Sequence, residues 1–192
     1  MLMTKDEMRT LLMAQILQEH SKAQTMRLVR WVGHDAERLA ILMEIFLNDP
    51  ATPPLPAGRG YAYLFTQRSA WAVRYIGENA PEIMAKWLPV LVAQLQASPI
   101  HDAIKRNVLN VFEGIDFPET LDGILADRCF EYLANPKEAI AIRCASMTVL
   151  AKICARVPEL SAELRLILEE MLEHEVSAGV GSRARRVLRG LV

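Results

Sequence analysis

Pro-Glu pairs stand at 81–82, 118–119 and 158–159, at intervals of 37 and 40 residues. Arginines keep the same step. Arg68, Arg106, Arg143 and Arg183 are separated by 38, 37 and 40 residues, each early in the helix before the next Pro-Glu or the chain end. The stretch VRWVGHDAER at 29–38 is paralleled by VRYIGENAPE at 73–82. A period near 38 residues is the length of a helix–turn–helix unit. Such units bury their apolar sides against neighbouring copies and build an α-solenoid.

Local patterning agrees with that reading. Leu160, Leu164, Ile167, Leu168, Met171 and Leu172 recur at the three- and four-residue steps of one helix face, as do Ile142, Ala145, Val149 and Ile153. No run alternates polar and apolar residues with β-branched enrichment, so no sheet is expected. TKDE at 4–7 and SKAQ at 21–24 fit the capping box. Each Pro-Glu opens a helix, because proline is preorganised for the first turn and a carboxylate there favours the helix dipole. Gly33 and Gly77 fall where helices should end. The predicted helices run over 4–19, 22–32, 35–48, 62–77, 81–97, 101–114, 118–134, 137–156, 158–174 and 179–191. One segment is irregular: NDPATPPLPAGRGYAY, at 48–63, interrupts the second unit with prolines and glycines. It reads as a spacer; the functional alternative is that Gly58, Arg59 and Gly60 offer backbone N–H groups to an anion.

Composition narrows the class. The chain has 192 residues, 52% apolar and 23% charged, with a formal net charge of −1. That length suits one domain with a core needing neither disulfides nor metal. Cys129, Cys144 and Cys154 are too few and scattered for a disulfide framework and read as reduced thiols. Charges at Lys5, Asp6 and Glu7 argue against a signal peptide, and LAILMEIFL is too short, and too charged at Glu44, to span a membrane. A cytoplasmic protein, bacterial in its affinities, is expected.

EYLANPKEAIAIRCASMTVLAKI, at 131–153, has an apolar first helix, an Asn-Pro turn, then an acid, Ile-Arg and small residues opening a second helix. It resembles the HEAT-like, armadillo-type helical repeat family. HDAIKRNVLNVFEGI at 101–115 resembles the same second-helix start, and SAGVGSRARRVLRGL at 177–191 a degenerate final copy. The resemblance covers nearly the whole chain and is weakest in the first unit. It implies an all-α, right-handed α-α superhelix of about five helix pairs in a single domain, 1–192. The units are approximately 1–33, 34–78, 79–115, 116–156 and 157–192, with the Pro/Gly-rich loop at 48–61. It also implies that Arg106 and Arg143 are structural, each pairing with an acid near the turn (Asp102 for Arg106) and tying one repeat to the next.

Charge is unevenly shared between the helix classes. First helices carry 6 basic and 17 acidic residues, net −11; second helices carry 15 basic and 4 acidic, net +11. In HEAT-like solenoids the second helices line the concave surface, so the resemblance implies a basic inner face and an acidic outer one. One reading is neutralisation between paired helices. The other is a groove for a polyanion, because a cleft of one sign focuses the field and its lysines and arginines neutralise phosphates. Arg68, Trp71 and Tyr75 share one face of the fourth helix with Arg74 beside them, either as inter-repeat core or as a stacking platform. The candidate partner-binding residues are Arg68, Trp71, Arg74, Lys105, Arg143, Arg183, Arg185, Arg186 and Arg189.

Catalytic and metal motifs are not found, and no cofactor is expected. His20, His34, His101 and His174 are far apart, without ligand spacing. His101 and Asp102 make a poor dyad, since adjacent helix residues point roughly 100° apart. The chain is similar to small bacterial helical-repeat proteins that sometimes carry the label adenylosuccinate lyase. That lyase is far longer and marked by a Ser-Ser-x-Met-Pro-x-Lys-x-Asn loop, to which CASMTV at 144–149 bears no useful likeness, so lyase activity is not expected. The main reading is a non-catalytic interaction or scaffold module that receives an acidic protein segment or a nucleic acid, with no membrane contact. The alternative is a HEAT-like DNA glycosylase-type repair enzyme, for which no matching catalytic carboxylate is assigned, Asp102 and Glu113 being the positions to test.

Overall fold

A computed structural model describes residues 3–47, 61–97, 100–174 and 177–191. The spacer reading of 48–61, Arg59 included, falls almost wholly outside them. The regular structure of the described residues is all helical, with no strand. In chain order they form α1 (Lys5–Gln18), α2 (Lys22–Val32), α3 (Ala36–Phe46), α4 (Tyr61–Asn79), α5 (Pro81–Met84), α6 (Leu88–Leu95), α7 (Asp102–Gly114), α8 (Asp122–Ala134), α9 (Ile140–Cys154), α10 (Ser161–Glu173) and α11 (Ala178–Gly190).

Two layers result. The second helices α2, α4, α7, α9 and α11 pack side by side in sequence, and α1, α3, α5–α6, α8 and α10 back them. Neighbours pack more extensively within the second-helix layer than within the first, as expected of the inner side of a curved array. One core runs the length of the array, from Leu12 and Ile16 through Phe46, Ile76 and Phe112 to Leu164, Ala184 and Val187. Phe112 and Phe117 meet edge to face at 5.4 Å. In the first-helix layer, the buried Tyr132 hydroxyl donates to Leu95 O at 3.0 Å, tying α8 to the end of α6. This is an all-α helical repeat superhelix.

The helix ends follow the capping rules with instructive departures. At α1, Thr4 Oγ1 accepts from Glu7 N, and Glu7 Oε2 accepts from Thr4 N at 2.8 Å, a complete box. At α2 the box is half made. Ser21 caps Gln24 N, but the Gln24 side chain is buried and donates to Gln15 O at 2.8 Å. Gly33 ends α2 at φ 53°, its N–H reaching Val29 O. Gly77 does not end its helix; α4 continues to Asn79, and a Cβ at 77 would lie 3.0 Å from Val111 Cγ1. Its role is the close approach of α4 and α7. The helix predicted over 81–97 breaks into a 3₁₀ turn at Ala85–Trp87, because Pro89 lacks an N–H and its ring crowds the carbonyl four residues back. The Pro-Glu pairs at 118 and 158 likewise lead into 3₁₀ turns, Glu119–Leu121 and Pro158–Leu160, before α8 and α10 begin.

Candidate interaction surface

Helices packed side by side leave the carbonyls of their last turns unsatisfied, and in this molecule cations from neighbouring helices supply the missing donors. Arg38 of α3 donates to Trp31 O of α2 at 2.7 Å. Arg68 of α4 donates to Leu17 O, and at 3.4 Å to Ile16 O, at the end of α1. Arg143 of α9 donates to Leu133 O of α8 at 3.2 Å. Lys152 of α9 reaches Phe112 O, Glu113 O and Ile115 O at 2.8–3.1 Å, closing the end of α7. Burial pushes the Lys152 pKa down. Arg68 and Arg143 are therefore committed to the framework.

Acids on or beside the second helices take up further cations. Glu78 accepts from Arg74 at 2.8 Å. Lys105 bonds Glu138 at 2.7 Å, lies 3.7 Å from Asp102 and sits over the Tyr132 ring. Arg183 spans from α11 to Glu113 of α7 at 2.6 Å and also contacts the Thr148 hydroxyl of α9. Arg156 grips Asp122 of α8 with two nitrogens, and that bond raises its pKa. Pairing across a repeat's two helices, the neutralisation scheme, is thus represented by Arg156–Asp122, whereas Arg74, Lys105 and Arg183 find acids of the second-helix layer or its turns.

Arg106 departs from expectation. It is exposed and has no ion-pair partner among the described residues; Lys105 occupies the flank facing Asp102 and Glu138, and Arg106 is turned about one helix position onto the open face. Arg143 does tie helices together, through a carbonyl rather than an acid.

Arg185, Arg186 and Arg189 are a different case. All three are exposed on α11 and unpaired among the described residues. Arg186 lies beside Arg183 on the inner side, near enough to act on the Cys144 thiol. The exposed acids of α10, Glu163, Glu169, Glu170 and Glu173, are equally unpaired there. The last helix pair therefore carries opposite charges on two separate surfaces.

Farther along the inner side is a cleft of about 260 Å³ between α4 and α7. His20, Gln67, Trp71, Asp102, Arg106 and Asn107 line it. Trp71 is half-buried between the rings of His20 and Tyr75, each centred 6.2 Å away. His101 caps α7, its Nδ1 accepting from Ala103 N–H at 3.0 Å, which places the neutral ring's proton on Nε2. The fold brings Trp71 of the second unit together with Asp102, Arg106 and Asn107 of the third. Gln67 and His20 gave no signal, since neither belongs to a motif.

The HEAT repeat domain model matches residues 62–191, from the start of α4 through α11. The chain belongs to the HEAT repeat family. No curated protein and no solved structure matches it significantly. HEAT repeats generally mediate protein interactions, and this chain is a helical-repeat scaffold of that kind. Among the described residues, no group of three His, Cys, Asp or Glu is placed to hold a metal, and no helix is long and apolar enough to cross a membrane.

Proposed function

We propose that this HEAT repeat protein is a non-catalytic interaction module whose inner, second-helix surface receives an acidic partner, either an acidic protein segment or a nucleic acid. The observation that carries the reading is the exposed triplet Arg185, Arg186 and Arg189 on α11, unpaired among the described residues, with Arg106 as a further such cation on the same layer. Cations held by carbonyls or carboxylates contribute little to a polyanion, because binding would first have to break those bonds. Unpaired ones gain from each phosphate or carboxylate they neutralise. Of the nine candidates, Arg185, Arg186 and Arg189 are thus the anchor. Arg74, Lys105 and Arg183 shape the surface, and Arg68 and Arg143 hold the helices that present it.

The interaction module is preferred over a base-removing enzyme because Glu113 is engaged by Arg183 and Asp102 lies at the exposed start of α7. Neither has the sheltered, unpaired position that a general base or electrostatic stabiliser requires. Incubation with alkylated duplex DNA separates the two readings: the module releases no base, and base release dependent on Asp102 or Glu113 would establish the enzyme.

A further inference from the structure

Each helix of the last pair carries two like charges one turn apart. Glu169 and Glu173 stand at i and i+4 on α10, Arg185 and Arg189 at i and i+4 on α11, all exposed and unpaired among the described residues. Like charges at that spacing repel along a helix. Their direction follows from what the rest of each helix touches. α10 turns Ile167, Glu170 and Met171 toward the end of α8, where they line a cleft with Leu133, Ala134 and Pro136. At 3.6 residues per turn, Glu169 and Glu173 then point away from α8. α11 turns Gly179 and Arg183 toward α9, with Gly179 O beside the Cys144 thiol and Arg183 on the Thr148 hydroxyl. Arg185 and Arg189 then point away from α9, while Arg186 stays beside Arg183. One side of the helix pair thus shows an acidic ridge and a basic ridge, with Leu166, 67% exposed, next to the acids. The ridges run antiparallel, because Arg165 near the start of α10 donates to Leu191 O, just past the end of α11, at 2.9 Å.

We propose that this side docks on the same side of a second copy of the chain, α10 of each protomer lying along α11 of its partner about a two-fold axis parallel to the helices. Only two axes in the plane of the face lay helix on helix. An axis across the helices sets acid on acid and arginine on arginine. An axis along them sets the Glu169 and Glu173 ridge of one protomer against the Arg185 and Arg189 ridge of the other, twice over, and covers both copies of Leu166. The like-charge repulsion within each ridge is then offset by the opposite pair at the same spacing. The proposal rests on the reading that the α11 arginines take an acidic partner, and names that partner as α10 of a second chain. Each helix of 13 residues offers about 20 Å of length, so the contact belongs to the small, transient class of interface and is sensitive to salt.

Sedimentation equilibrium of the full chain tests this directly. At low salt and micromolar concentration the apparent mass is expected to rise from 21.6 kDa toward twice that value. High salt is expected to weaken the association roughly tenfold. Arg185→Glu/Arg189→Glu and Glu169→Arg/Glu173→Arg are each expected to be monomeric alone, since both ridges then share one sign. Mixed in equal amounts they are expected to dimerise, since the ridges of one variant oppose those of the other. A parent chain that stays monomeric at low salt, a dimer indifferent to both reversals, or a mixture that recovers no dimer overturns the proposal. All four side chains are exposed, so both variants should keep the helical circular dichroism of the parent. Should one lose it, the neutral Glu169→Gln/Glu173→Gln takes its place and must weaken the dimer. If the parent is monomeric but binds oligonucleotide or acidic peptide through the α11 arginines, this proposal alone falls; if it is monomeric and binds neither, both readings fall.

Discussion

Lys152 carries a charge where burial disfavours it, yet its ammonium donates to three carbonyls that α7 cannot satisfy internally. Replacement by methionine keeps most of the apolar stem and removes the donor. Lys152→Met is therefore expected to destabilise the fold by about 1.5–3 kcal/mol, the range for hydrogen bonds to charged groups, measured by urea unfolding. Cys129 supplies a pH dependence of definite sign. Burial raises its thiol from 9.0 to about 12, so the folded state holds the proton more tightly than the unfolded one. Its contribution to stability is complete below pH 9 and is lost as pH rises toward 12. The buried Tyr132 phenol, also pushed up to about 12, acts in the same direction. Denaturation midpoints are expected to fall across that alkaline window, and Cys129→Ala to flatten part of the fall.

Two similar stretches of sequence build different helix ends. In 29–38, Gly33 turns left-handed and Arg38 reaches back to satisfy Trp31 O; in 73–82, the position of Arg38 is taken by Glu82, which has no donor to give. There the helix runs on past Gly77 to Asn79, held by Arg74–Glu78 and by Asn79 Nδ2 donating to Tyr75 O, and stops just before Pro81. Gly77 serves packing instead. Gly77→Ala gains about 1 kcal/mol of helix propensity but presses a methyl against Val111. A net loss is expected, since overpacking costs about 1–3 kcal/mol. Val111→Ala makes room for that methyl, so a double-mutant cycle should show favourable coupling between the two positions; additive effects would remove the close contact from the account.

At the scale of the whole molecule, period and amphipathic spacing make the architecture legible in the sequence, because every unit repeats the same burial problem. Which cations stay open was not readable. Arg183 finds Glu113 seventy residues earlier, and Lys152 finds carbonyls rather than an acid. Both depend on register between helices, which composition does not encode. The same holds for the cleft, where His20, Trp71 and Asn107 come from three different helix pairs. The run Arg183, Arg185, Arg186 and Arg189 is legible as a basic cluster, though which of its members stay unpaired is not. If it is the anchor, each arginine removed should reduce the slope of log affinity against log salt by about 0.7–0.9. Arg189→Gln tests this singly, and Arg143→Gln should change stability more than slope.

The most direct measurement of the central claim is a fluorescence-anisotropy titration of labelled single-stranded DNA, duplex DNA and an acidic peptide, at low and at physiological salt. The account predicts binding of at least one of them that weakens steeply with salt and disappears in Arg185→Glu/Arg186→Glu/Arg189→Glu. No binding of any of the three at low salt, or binding that survives the triple reversal, would contradict it.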